Sequence, residues 1–241
     1  MKILALDSTA VVATVALCED TRLLGEYTIA NGNTHSETLL PMVESLLAHF
    51  SLSTSEIDLF AASAGPGSFT GVRIGAATVK GLAFATEKPC LGVSTLEALA
   101  YNLIGFDGLV CPVMNARRQQ VYTALFRIQN GQMERLMPDS AMAITALDEL
   151  LTAYDEPIRL VGDGYDVTAA LLTHPVIPTP ARLRLQSAYS VAQVAGAAYA
   201  RGDRTTDTEM VATYLRLSQA ERERLERESK QIENSPKGIL I

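Results

Sequence analysis

Ile57-Asp58-Leu59-Phe60-Ala61-Ala62-Ser63-Ala64, running straight into Gly65-Pro66-Gly67-Ser68-Phe69-Thr70-Gly71-Val72-Arg73-Ile74-Gly75, is the stretch that decides the fold. Its first part is an apolar run of strand length. Gly65, Pro66, Gly67 and Ser68 then mark a sharp structural turn from strand to helix. The helix runs from Thr70 to Ala85, with small residues spaced by four at Gly71 and Gly75 and again at Ala77, Gly81 and Ala85, so each set shares a face. A glycine inside a helix costs about 1 kcal/mol against alanine, so some close approach must offset it. Packing on the chain's own sheet meets that need, and so does a helix–helix contact with another protein. Spacing alone does not separate the two.

Upstream, Ile3–Leu6, Val11–Cys18 and Thr21–Ile29 read as three strands, with Glu19-Asp20 as a hairpin turn. Thr34-His35-Ser36-Glu37 has capping-box form, which predicts that the Thr34 hydroxyl accepts from the Glu37 N–H. The helix it opens carries Leu39, Val43, Leu46 and Phe50, and also Leu40, Met42 and Leu47, a stripe wider than one sheet-facing side requires. Pro41 predicts a bend or a delayed regular start. Downstream, Cys90–Val93 is a further strand and Ser94 caps a helix through Tyr101. Three strands, a helix, a strand, a helix, a strand and a helix make a mixed-sheet α/β unit of the ribonuclease-H-like kind.

At Phe106-Asp107-Gly108 the pattern restarts. Val110–Asn115, Gln120–Ile128 and a stretch after Gly131 read as strands, and Thr145–Ala153, Tyr165–Thr173 and Ser187–Arg201 as helices. Two units in similar order suggest a pseudo-repeat. The expected organisation is a first lobe over 1–105, a smaller second lobe over 106–206, and a segment over 207–241 that returns to the first lobe through Tyr214-Leu215-Arg216. Ser218–Lys230 reads as a charged helix with a solvated face.

The chain of 241 residues is 48% hydrophobic and 20% charged, with a net charge of −7. That composition suits a packed core, and the charge argues against a protein that grips nucleic acid unaided. Cys18, Cys90 and Cys111 lie far apart with no Cys-x-x-Cys pair, which fits a reducing compartment. No apolar window reaches a membrane span, so the expected location is cytoplasmic.

Catalytic signatures are missing. The glycines at 65, 67 and 71 are spaced one residue too long for a dinucleotide fingerprint and enclose Pro66; Val79 precedes Lys80, so there is no phosphate-loop lysine motif. His35, His49 and His174 are too scattered for a zinc-protease helix, and Ser68 does not sit in a nucleophile elbow. No metal site is expected on this chain.

Residues 64–75 resemble the signature of the TsaB family, also called YeaZ. The resemblance continues through Met1–Thr9, His35-Ser36-Glu37 with Leu40-Pro41, Gly92–Leu96, Tyr214-Leu215-Arg216 and Ser218–Arg222, nearly the full chain. It implies two ribonuclease-H-like lobes of the actin, sugar-kinase and Hsp70 class. It also implies a part in forming threonylcarbamoyladenosine beside the anticodon of tRNAs that read codons beginning with A. In that family the chemistry belongs to the paralogue TsaD, TsaB docks on it through its first lobe, and the ATPase TsaE joins them. ATP or ADP and metal are then expected on the partner subunits, and tRNA is reached only through the complex. A homodimer of the isolated chain is a further expectation.

Departures from the nucleotide-binding pattern of this fold agree with a non-catalytic role. The first phosphate hairpin reads Asp7-Ser8-Thr9-Ala10, without its glycine, and the second, Val113-Met114-Asn115-Ala116-Arg117, has no glycine and carries Asn115 where the family usually has aspartate. The expected partner surface is Leu39, Val43, Leu46 and Leu47 on the first helix with Gly71, Gly75, Thr78 and Leu82 on the second, Gly75 or Ala77 facing outward. The competing reading is an ATP-dependent, sugar-kinase-like phosphotransferase. A peptidase, as the older name glycoprotease suggests, lacks the metal ligands it needs.

Overall fold

The computed structural model describes residues 1–30 and 34–216. The expected charged helix over Ser218–Lys230, and the motif residues beyond Arg216, lie outside them.

Strand β1 (Lys2–Asp7) pairs antiparallel with β2 (Ala13–Glu19), which pairs antiparallel with β3 (Arg22–Ile29). Helix α1 (His35–His49) leads to β4 (Leu59–Ser63), parallel to β1; helix α2 (Phe69–Thr86) leads to β5 (Cys90–Val93), parallel to β4; helix α3 (Thr95–Tyr101) closes the unit. The sheet order is β3-β2-β1-β4-β5. Both faces of this sheet are covered, which is why β1 and β4 are apolar at nearly every position. Leu4, Leu6, Phe60 and Ala62 point to one side, into a core with α1 and α2; Ile3, Ala5, Leu59 and Ala61 point to the other.

The second lobe repeats the plan. Strands β6 (Gly108–Asn115), β7 (Gln120–Gln129) and β8 (Gln132–Ala143) form the antiparallel part, and helix α4 (Ile144–Leu151), strand β9 (Ile158–Val161), helix α5 (Tyr165–Ala169) and the short β10 (Val176–Ile177) follow. Its order, β10-β9-β6-β7-β8, is that of the first sheet read from the other edge. The architecture is α/β, two ribonuclease-H-like lobes, each built on one mixed five-stranded sheet. Helix α3 and the turn after it join them: Leu96 and Leu99 of the helix, with Leu103 beyond it, pack with Val110, Met114, Phe126 and Val161 of the second lobe.

Four expectations need correction. The boundary at 206 is too late, because helix α6 (Ala188–Ala200) lies on the first-lobe sheet: Ala188, Val191, Ala192 and Ala195 pack with Ile3, Ala5, Ala16, Leu59 and Ala61. The Thr34 hydroxyl does not cap α1, since the Glu37 N–H donates to the Thr34 backbone carbonyl at 3.0 Å instead. Helix α1 is not delayed by Pro41 and begins at His35. Helix α5 ends at Ala169 rather than Thr173, because the Thr173 and His174 N–H groups donate to the Asp148 carboxylate at 2.9 and 3.0 Å. Strand β9, short and interrupted by Arg159, leaves no clear pattern in the sequence.

Candidate functional site

Helices α1 and α2 lie side by side on one face of the first sheet. The expected partner surface on α1 is not there: Leu39, Val43, Leu46 and Leu47 are all buried in the core, as is Met42. Gly25 on β3 explains the depth. A Cβ there would sit 2.9 Å from Leu46 Cδ1, so the missing side chain lets α1 drop onto the sheet. The exposed residues of α1 include Leu40, Pro41, Glu44 and Ala48, with polar Ser36, Glu37, Ser45 and His49 among the rest.

On α2 the two small-residue sets divide. A Cβ on Gly71 would lie 1.9 Å from the Ser8 carbonyl oxygen, and one on Gly75 2.8 Å from Ser8 Oγ, so both face inward and serve the close approach of α2 to the β1–β2 turn. Ser8 Oγ also donates to the Gly71 carbonyl at 2.8 Å. Gly71 and Gly75 are therefore core positions and not partner-facing ones. The second set faces out: Ala77, Gly81 and Ala85 are exposed, and nothing lies within 4 Å of a Cβ built on Gly81. Phe84 beside them is 73% exposed. Thr78 and Leu82 are half-buried at the margin.

The Gly65–Ser68 turn is held from two sides. Gly65 has φ 111°, and a Cβ there would meet the Thr213 carbonyl oxygen at 2.3 Å. Gly67 lies against Thr9, and the Ser68 N–H donates to the Thr9 carbonyl at 2.7 Å. Ser68 caps α2, its Oγ accepting from the Gly71 N–H. Beyond α6 the chain crosses the first lobe: Met210 is buried in its core, the Thr213 N–H donates to the Ala64 carbonyl at 2.7 Å, and Tyr214 stacks on Phe69 with ring centres 4.9 Å apart.

Between the lobes is a cleft of about 710 Å³, lined by both hairpin turns, the start of α2 and residues 213–216. Asp7 is buried beneath it. Its Oδ1 accepts from the Thr9 N–H and Oγ1, both at 2.7 Å, and its Oδ2 accepts from Ser63 Oγ. Both carboxylate oxygens are thus engaged within the chain. Across the cleft, the Asn115 N–H donates to Asp163 at 3.3 Å, and the Asn115 side-chain oxygen accepts from the Arg117 N–H at 2.9 Å. These residues do not fit a magnesium–phosphate group: the Asp7 carboxyl is fully buried beneath the cleft floor and turned to Thr9 and Ser63, and neither hairpin offers a glycine for phosphate to approach. Among the described residues no three His, Cys, Asp or Glu side chains come together as a metal site. Burial pushes the thiols of Cys18 and Cys111 up to about 12 and that of Cys90 to about 11, so none is a nucleophile near neutrality.

Burial also raises the Asp7 carboxyl above its ordinary range, against the hydrogen bonds from Ser63 and Thr9. The native state then holds this proton more tightly than the unfolded chain. The group favours folding most in acid, and that contribution falls as pH rises from about 4 through the raised native value. Asp7→Asn keeps the acceptor toward Thr9 and removes the charge. The variant is expected to melt at or above the parent temperature at pH 7, with the difference shrinking toward pH 4. A variant much less stable than the parent at pH 7 contradicts this assignment.

The chain is similar to known proteins. Residues 28–223 match the family model described as TsaD, tRNA N6-adenosine threonylcarbamoyltransferase. The tRNA threonylcarbamoyladenosine biosynthesis protein TsaB of Bacillus subtilis is 37% identical over 162 residues, covering 67% of this chain and 71% of that protein. The chain belongs to the TsaB family, within the wider TsaD-type family. The Escherichia coli TsaB is 37% identical over 134 residues, 54% of this chain and 58% of its own length. The solved structure of YeaZ from Pseudomonas aeruginosa superposes with a TM-score of 0.77 at 29% identity, covering 89% of this chain and 99% of that one. No helix among the described residues is long and apolar enough to cross a membrane.

Proposed function

We propose that this chain is the non-catalytic accessory subunit of a complex that forms threonylcarbamoyladenosine on tRNA, binding and supporting a TsaD-like catalytic paralogue. Membership of the TsaB family supports the pathway. The observation that carries the non-catalytic part is Asp7, which is buried away from the cleft with its two carboxyl oxygens turned to Thr9 and Ser63. The docking surface is the outward face of α2, Ala77, Gly81, Phe84 and Ala85, with Leu40 and Pro41 of α1 beside it. Small residues let a partner's helices come close, and Phe84 supplies exposed apolar area. The pair of helices meets an equivalent pair on the paralogue, or on a second copy of this chain when the paralogue is absent.

Nucleotide and metal belong to the partner subunits, a TsaE-like ATPase among them, and the complex works in the cytoplasm. No observation favours the sugar-kinase-like alternative. The purified chain with ATP and magnesium is expected to show no phosphate release or transfer above buffer; activity that Asp7→Asn abolishes overturns the reading. Depletion of the chain in cells is expected to lower threonylcarbamoyladenosine in bulk tRNA, as nucleoside analysis will read. Unchanged levels contradict the pathway.

A further inference from the structure

Arginines gather at the mouth of the interlobe cleft. Arg117 and Arg216 line it, Arg118 stands next to Arg117 on the β6–β7 turn, and Arg73 sits over the Phe69 ring at 3.8 Å and donates to the Tyr214 hydroxyl at 3.0 Å. Among the described residues, the arginines that form ion pairs are Arg22, Arg127, Arg135 and Arg184, and none of these four. Among the described residues Arg216 donates to the Ala116 carbonyl at 2.9 Å and to no carboxylate.

Arg117 and Arg118 are also held at some cost. Together with Gln119 they occupy the left-handed region, at φ 63°, 53° and 55°, where glycine or asparagine is the easy choice. Both are exposed. Between the arginines lies an aromatic face, since Tyr214 stacked on Phe69 is still 41% exposed. Asp163, deeper in the cleft, repels phosphate and leaves that depth to an uncharged group.

A basic rim around an aromatic face with a nucleotide-sized recess behind it is the chemistry that takes single-stranded RNA: phosphates on guanidinium groups and a base stacked on the ring. We propose that the cleft mouth, Arg73, Arg117, Arg118, Arg216 and Tyr214, is an RNA contact of the assembled complex that holds an unpaired stretch of the tRNA. This rests on the reading above that the chain works in a tRNA-modifying complex. The patch is small and the chain carries a net charge of −7, so it adds to the grip of the assembly and is too weak to act alone.

The test uses the chain assembled with its TsaD-like paralogue and a labelled, unmodified tRNA transcript. Assembly is checked first by size-exclusion chromatography, and affinity is then measured across a salt series. Arg117→Glu with Arg118→Glu is expected to leave assembly intact, weaken tRNA binding about ten-fold or more, and flatten the salt slope by about 1 for each phosphate no longer neutralised. Tyr214→Leu, which keeps apolar packing on Phe69, is expected to weaken binding about five-fold or more with the slope unchanged. The charge-matched control Lys2→Glu with Arg22→Glu, at the far end of the first sheet, should do neither. Equal effects from the control and the rim pair overturn the proposal. Loss of assembly by the rim pair also overturns it, because the surface then meets protein. If rim variants assemble, bind tRNA normally and support modification, the RNA contact falls while the accessory role stands. If the unaltered chain neither assembles nor supports modification, it is the accessory role that falls.

Discussion

Gly71→Ala is expected to destabilise the chain by about 3 kcal/mol or more, whereas Gly81→Ala on the same helix stabilises it by up to about 1 kcal/mol. The opposite signs come from what each new methyl group meets. At Gly71 it lies 1.9 Å from the Ser8 backbone oxygen, an atom that cannot swing aside because Asp7 and Thr9 lock the same turn. Relief requires α2 to lift off β1, which breaks the Ser8–Gly71 hydrogen bond and loosens the packing of Gly67 on Thr9. At Gly81 the methyl group meets nothing within 4 Å, so only the gain in helix propensity remains. Thermal melts of both variants check the pair: a fall of roughly 6–12 °C for Gly71→Ala and a rise of up to roughly 4 °C for Gly81→Ala, at about 2–4 °C per kcal/mol. Equal shifts would place α2 in the wrong rotational phase.

Ala77→Arg and Phe84→Asp are expected to abolish association with the TsaD-like paralogue, at least about 100-fold in affinity, while melting within about 0.5 kcal/mol of the parent. Both positions are exposed, so neither change disturbs the packing of the isolated fold. Bulk or charge there holds the opposing helices apart, and a desolvated charge at the centre of an interface is the costliest replacement available. Leu46→Arg makes the contrast, since Leu46 is core and the variant should fail to fold. Pull-down and calorimetry on the same preparations separate the two outcomes. Normal association by both outward variants moves the interface off α2.

The order of elements through α3 is legible in the sequence because most strands are short apolar or β-branched runs closed by a polar turn, by glycine and proline or by a cap, and each helix opens on a serine or threonine. The repeat is legible at Phe106-Asp107-Gly108 for the same reason. Three features are not. The alanine-rich α6 says that it packs closely but not on which sheet, and only the fold brings it back to Ile3 and Ala5. The apolar excess on α1 reads as a partner surface because a sequence does not reveal that Gly25 lets the helix sink into the groove beside α2, burying both flanks. The phase of α2 depends on Ser8, a residue 63 positions from Gly71 in sequence, so periodicity groups its small residues without saying which set faces out. For the cleft, the missing hairpin glycines are visible in the sequence, whereas the engagement of both Asp7 oxygens and the gathering of the arginines are not.

Reconstitution separates a supporting subunit from a participant in the reaction: a TsaD-like paralogue, a TsaE-like ATPase, threonylcarbamoyl-adenylate and unmodified tRNA, with this chain present, absent, or carrying Asp7→Asn with Asp163→Asn. Threonylcarbamoyladenosine is expected to form with the parent chain, to drop sharply without it, and to form at close to the parent rate with the doubly substituted chain, because the cleft carboxylates take no part in the chemistry. A doubly substituted chain that folds and assembles normally yet fails to support the modification contradicts the account and makes this subunit a participant in the reaction.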